Sequence, residues 1–132
     1  MKFEVGDYYS EDCYFLQDQV SSFANITGDV NRIHLDPEYA SKSIFGRIIV
    51  HGFLGGSVFS KIIGTKFPGE GTIYLSQNLR FIAPIYVDTN YLATVKIVET
   101  FQEKKRYKLD TTLICVKSKK IIIDGDALVQ LG

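Results

Sequence analysis

Residues 26–36, "ITGDVNRIHLD", bring Asp29, Asn31, Arg32, His34 and Asp36 into one short stretch, and His34 is one of only two histidines in the chain. A carboxylate and an imidazole that share one water form a general acid–base pair, one removing the water's proton while the other delivers a proton elsewhere. Residues five apart point about 140° away from each other on an ideal helix and lie on opposite faces of a strand. Asp29 and His34 therefore converge only in a turn, and Gly28 and Asn31 are suitable turn formers. The same spacing also suits a plainer arrangement, a turn-capping aspartate beside a satisfied surface histidine.

The second histidine, His51, follows the apolar triplet "IIV" and precedes Gly52 at the head of a long apolar segment. Free backbone N–H groups at a helix start, aligned with the helix dipole, can receive an anion or a developing oxyanion, and Gly52 leaves room for a ligand carbonyl to approach. An ordinary loop-to-helix junction fits these residues too. A histidine so flanked is more often a hydrogen-bonded core residue than a catalytic one. Ser57 and Ser60 lie on the same apolar segment, where a buried hydroxyl without a partner costs about 1–3 kcal/mol. Each can bond the carbonyl one turn back. Ser60 can alternatively reach the Asp29 site from beneath.

Other chemistries fit poorly. Counted from Asp29, the fifth, sixth and twelfth positions of a calcium loop fall on Ile33, His34 and Ala40, where an oxygen ligand, glycine and glutamate are required. His34, His51 and an aspartate could in principle hold zinc or iron, but no HxH, HExxH or CxxC spacing supports a metal, and none is expected. No GxSxG elbow is present for a serine hydrolase. No cofactor is implied.

Composition narrows the partners. The 132 residues suit one domain, residues 1–132, with one sizeable core. Fifteen basic and fifteen acidic residues cancel, so no net field favours nucleic acid or an anionic membrane. The run Lys104, Lys105, Arg106 reads as a solvated hairpin tip. Cys13 and Cys115 are far apart and outside any CxxC pattern, and no signal-type apolar region follows the N-terminus. Both point to a reducing, cytoplasmic setting. No run of about 18 apolar residues exists to span a bilayer.

The elements that must position the reactive turn follow from periodicity. "DQVSSFANIT" predicts a helix with Asp18 as N-cap and Gly28 as its stop. "DPEYASKSIF" predicts a short helix capped by Asp36, with Pro37 at its first position. The turn thus lies between two helices. "HGFLGGSVFSKIIG" is apolar most of the way round and predicts a helix buried on nearly every side, with another backbone passing close at Gly55 and Gly56. From residue 72 the period falls to two. "IYLSQNLRFIAP" reads as a half-buried strand with Leu75, Leu79, Phe81 and Ala83 inward, followed by strands in "NYLATVKIVETF", "RYKLDTTLICV" and "KIIIDGDALVQL". The architecture that satisfies these elements is α+β: a long central helix wrapped by a curved antiparallel sheet of about five strands, the hotdog fold. Its open edge predicts a homodimer.

The run "FANITGDVNRIHLDPEYASKSIFGRIIVHGFL" resembles the MaoC-like hydratase motif, and "GTIYLSQNLRFIAPIYVDT" continues the likeness across essentially the whole chain. It looks closest to the single-domain (R)-specific enoyl-CoA hydratases. The resemblance implies a catalytic pair at Asp29 and His34, a thioester oxygen received by the Gly52 N–H, and support from Ser60, with Asn31 and His51 as further supporting residues. It implies acyl-CoA or acyl-carrier-protein thioesters as substrates. One departure stands out: the family's usual Asn-Pro is here Asn31-Arg32, which frees the loop and adds a cation beside the site. A hotdog dehydratase or thioesterase, and a non-catalytic acyl-binding subunit, are the competing readings. The thioesterases generally carry an acidic residue on the central helix, which here has none.

Overall fold

The computed structural model describes residues 2–132. Strand β1 (Tyr8–Tyr14) leads into helix α1 (Gln17–Thr27), which buries Val20 and Ala24. The helix is closed at its start by Gln19, whose Oε1 accepts the Leu16 N–H at 2.8 Å. Asp18, expected as the N-cap, sits instead in the first turn, because the helix is entered two residues earlier through extended Leu16. Gly28 ends the helix as expected, in the left-handed region at φ 79° that favours glycine. Helix α2 (Pro37–Ser41) is capped by Asp36, as expected.

Strands β2 (Ile49–Val50) and β4 (Ile85–Tyr86) form a small antiparallel ribbon, and helix α3 (Gly52–Thr65) starts directly after β2. β3 (Thr72–Phe81), β5 (Asn90–Phe101), β6 (Arg106–Cys115) and β7 (Ile121–Leu131) join β1 in one sheet of order β1-β5-β6-β7-β3. Every pairing is antiparallel. The expected five-stranded antiparallel sheet is present, with β1 as the strand that periodicity missed. The core lies where Phe59, Ile62 and Ile63 of α3 meet the inward residues of the long strands, such as Val95, Leu109 and Val129. Among the described residues no helix is long and apolar enough to cross a membrane.

Two expectations for α3 are corrected. It is not buried on nearly every side: Gly55, Gly56, Phe59, Ile62 and Ile63 are buried, while Phe53, Ser57, Ser60 and Gly64 form an exposed stripe one helical period apart. Nor does another backbone pass at the glycine pair. A Cβ on Gly55 would collide with Ile85 Cδ1, and one on Gly56 would lie 2.7 Å from Leu79 Cδ1. The glycines admit strand side chains, so the helix settles close onto the sheet.

Strand β3 also departs from its predicted alternation. A bulge between Tyr74 and Ser76 shifts the register with β7 and turns out Leu75, which is 42% exposed, while Leu79 packs on the core and Phe81, at the strand end, is 48% exposed. β3 lies at the edge of the sheet, with β7 as its single neighbour.

Candidate active site

The reactive turn is held at each end by side-chain caps. Thr27 Oγ1 donates to the Phe23 carbonyl at 2.8 Å and accepts the Asp29 N–H at 3.2 Å. Asn31 Oδ1 accepts the Ile33 N–H at 3.2 Å and opens a single 3₁₀ turn over Arg32–His34. Asp36 Oδ1 accepts the Glu38 and Tyr39 N–H groups, starting α2 almost at once. The backbone between the two helices is thereby fixed, and the convergence expected of the turn is realised. A carboxylate oxygen of Asp29 and a ring nitrogen of each of His34 and His51 all lie within 4.8 Å of one another.

His34 is 8% exposed. Its Nδ1–H donates to the Ile49 carbonyl at 2.8 Å, so the lone pair is carried on Nε2. Burial pushes the imidazole pKa below its ordinary 6.5; the Ile49 carbonyl pulls the other way, His51 adds to the lowering, and the Asp29 charge opposes it. His34 is therefore neutral at neutral pH, with its ring held in one orientation. Asp29 is exposed, and its carboxylate receives one long contact from the Asn31 N–H, at 3.5 Å. That contact is the turn-capping interaction of the plainer reading, and it leaves most of the carboxylate's accepting capacity free.

His51 occupies the N-cap position of α3 and is 2% exposed. Its Nε2–H donates to the main-chain carbonyl of Asp29 at 3.0 Å. One face of its ring stacks on His34, centroids 3.8 Å apart and planes inclined by 25°, and Phe23 lies 4.8 Å away. Gly52, next in sequence, is the first residue of α3, and its N–H is among those that have no intrahelical acceptor. A Cβ there would lie 2.8 Å from the Phe81 ring. The helix start opens onto an apolar cavity of about 350 Å³ lined by Phe45, Ile49, Phe53, Phe81 and Ile82. This cavity shares Phe45, Ala83 and Pro84 with a larger hollow of about 1100 Å³, so an extended ligand has room to run past Gly52.

Asp29, His34 and His51 each offer one donor atom, yet their geometry suits a metal ion badly. An ion bonds imidazole in the ring plane at about 2.0–2.1 Å. Two rings stacked at 3.8 Å with near-parallel planes direct their lone pairs alongside each other, away from a common point.

Ser60 is not brought to Asp29 within one chain. It lies eight residues beyond Gly52, about 12 Å along the helix axis, and on the exposed stripe with Phe53. Ser57 bonds back to the Leu54 carbonyl at 2.6 Å. Sequence reasoning missed two contributors. The Ile49 carbonyl fixes the His34 tautomer, and no residue type could have announced a main-chain acceptor. Phe81 closes over Gly52, a contact signalled only by the glycine itself.

Residues 5–119 match the family described as MaoC like domain. The (R)-specific enoyl-CoA hydratase of Aeromonas caviae is 37% identical over 128 residues, covering 97% of this chain and 95% of that protein. A mitochondrial 3-hydroxyacyl-[acyl-carrier-protein] dehydratase of Arabidopsis thaliana is 34% identical over 130 residues, 97% of this chain and 77% of its own length. The solved structure of an (R)-hydratase from A. caviae involved in PHA biosynthesis superposes with a TM-score of 0.95 at 34% identity, covering 99% of this chain and 98% of that one.

Proposed function

The chain belongs to the MaoC-like domain family, and within it we propose that residues 1–132 form a single-domain (R)-specific enoyl-CoA hydratase. The reaction is the reversible addition of water to trans-2-enoyl-CoA, giving (R)-3-hydroxyacyl-CoA; the enzyme is a hydro-lyase. The carrying observation is the meeting of Asp29 and His34 within 4.8 Å beside the free N-terminus of α3.

In an enoyl thioester the carbonyl withdraws electrons from C3, and attack there builds negative charge on the thioester oxygen. The Gly52 N–H, backed by the helix dipole, receives that charge. Asp29 and His34 hold one water over C3. One of the pair removes its proton as the oxygen bonds to C3, and the same side returns a proton to C2. The two bases act as a coupled unit on one water. The polar groups form one wall and the apolar cavity the other, so the chain of the substrate is sequestered while its reacting carbons face the pair.

We further propose a homodimer in the cytoplasm, completed across the β3 edge. The support is an unpaired strand edge flanked by exposed Phe53, Leu75 and Phe81. Ser60, on the exposed stripe of α3, then contributes across the interface. A sedimentation mass near that of one chain, 14.9 kDa, at micromolar concentration would overturn it.

The decisive experiment follows the loss of enoyl absorbance with crotonyl-CoA and hexenoyl-CoA and assigns the chirality of the product. Absent turnover of both, or an (S) product, removes the reading. A second reading, dehydration of 3-hydroxyacyl chains on acyl-carrier protein, is favoured by the Arabidopsis relative. Comparing kcat/KM for the same acyl group on the two carriers separates them.

A further inference from the structure

His51 carries three contacts that the hydration chemistry does not itself use. Its Nε2–H is committed to the Asp29 main-chain carbonyl at 3.0 Å. One ring face lies on His34 at 3.8 Å, and Phe23 packs 4.8 Å away. The ring is 2% exposed, and its Nδ1 is the one buried side-chain polar atom without a hydrogen-bond partner among the described residues. A buried acceptor left unpaired keeps its full desolvation penalty with nothing to offset it. A phenylalanine or leucine would fill this place without that cost, so core packing alone does not account for an imidazole here.

We propose that His51 is a positioning residue that aligns the reactive pair from both sides, holding the backbone of Asp29 through its Nε2–H and the ring plane of His34 through its face. The Asp29 side chain is exposed and has one long hydrogen bond, so its place is set by its backbone. The carbonyl that His51 grips belongs to Asp29 itself. His34 is tethered at one edge by Ile49, which leaves rotation about that bond; a parallel ring against it removes this freedom. His51 stands on the N-cap of α3, immediately before Gly52. The residue that aligns the pair is thus covalently joined to the one that receives the thioester oxygen, and the two halves of the site share one anchor. The stacked His51 ring lowers the His34 pKa, and the Asp29 carboxylate raises it. Asp29 and His51 are the titratable groups that act on His34.

The inference rests on the hydratase reading, and the test separates the two. Three variants are compared with wild type: His51→Gln, which keeps an N–H at similar reach; His51→Phe, which keeps a ring but no donor; and His51→Ala. Misplacing reacting groups by about 1 Å costs up to about 10²-fold, so His51→Phe and His51→Ala are expected to lose kcat by that order with KM nearly unchanged. His51→Gln is expected to recover part of the loss. In parallel, ¹⁵N NMR of the histidine rings reads the His34 tautomer and its titration without reference to turnover. In His51→Phe and His51→Ala the His34 titration is expected to move up, and the tautomers to mix in His51→Ala. Unfolding is monitored for each. If wild type hydrates enoyl-CoA and folded His51→Phe does so at the same rate with an unchanged His34 titration, the proposal fails while the hydratase reading stands. If wild type shows no hydration, the NMR arm alone decides it.

Discussion

The guanidinium of Arg32 lies 4.6 Å from the centre of the Tyr39 ring, and the same group pairs with Asp36 at 3.1 Å. Arg32 occupies the position where the motif that this chain resembles implies a proline. The stiffness a proline ring would give this loop is supplied here by a clasp onto α2. Both contacts are solvent-exposed, so the clasp is modest in strength and acts by restricting the loop rather than by adding much stability. Arg32→Ala is expected to lower kcat by about fivefold, far less than loss of a reacting group, and to speed amide exchange between residues 29 and 34. Equal exchange rates in variant and wild type would mean the clasp stiffens nothing.

Asp29→Asn and His34→Gln are each expected to lose about 10²- to 10⁴-fold in turnover with the fold intact, as befits general acid–base groups. On the proposed mechanism both serve one water, so the double variant should be barely worse than either single. The plainer arrangement, a capping aspartate, predicts instead a lower melting temperature with turnover per folded molecule preserved. Turnover measured beside thermal unfolding decides between them.

Gly52→Ala places a methyl 2.8 Å from the Phe81 ring, and it also narrows the approach to the Gly52 N–H. Two costs are therefore combined, and Phe81→Ala relieves one of them. Gly52→Ala is expected to raise the barrier strongly, and Gly52→Ala/Phe81→Ala to recover stability but not turnover. Full recovery of kcat in the double variant would mean that the ring contact was the whole effect and that no carbonyl approaches here.

The pH dependence follows from His34. Its pKa in the folded protein is depressed below 6.5, chiefly by burial. The base form is then present above the folded pKa, and the acid limb of kcat/KM should fall below 6.5. In the unfolded chain the ring takes up a proton at its ordinary value, so the unfolded state binds more protons first. Stability contributed by neutral His34 is complete above 6.5 and is lost as pH falls through that value toward the folded pKa. Urea unfolding from pH 8 to 5 measures this, and a midpoint that rises on acidification would contradict it.

The reactive turn was legible because its logic is local: glycine, asparagine and aspartate caps within ten residues permit few backbone paths, and Asp36 with Pro37 starts α2 where expected. Periodicity likewise exposed β5, β6 and β7, whose alternate residues are buried. It failed where tertiary context overrides pattern. β1, "YYSEDCY", buries only Cys13, so nothing in its apolar spacing marks a strand; its partner β5 makes it one. α3 looked buried throughout because Phe53 is apolar, but Phe53 is 71% exposed and lies on the stripe we assign to a second chain. Residue type offers Ser60 either a bond one turn back or a reach to Asp29, and the helix places it eight residues beyond Gly52 on the exposed stripe. The stacking of His51 on His34 joins residues whose sequence separation says nothing of contact.

The pairing of Tyr8 with Lys96 and of Tyr14 with Asn90 has a temporal consequence. β5, β6 and β7 are joined by short connections and can zip locally, whereas β1 must wait for a strand made much later in synthesis. Closing so long a loop before any reward is slow. The N-terminal strand, and with it the start of α1 that leads to Asp29, is therefore expected to dock onto a preformed meander as a late folding event. Competence to bind substrate would then lag behind compaction, and a chain released from the ribosome would collapse before it could turn over.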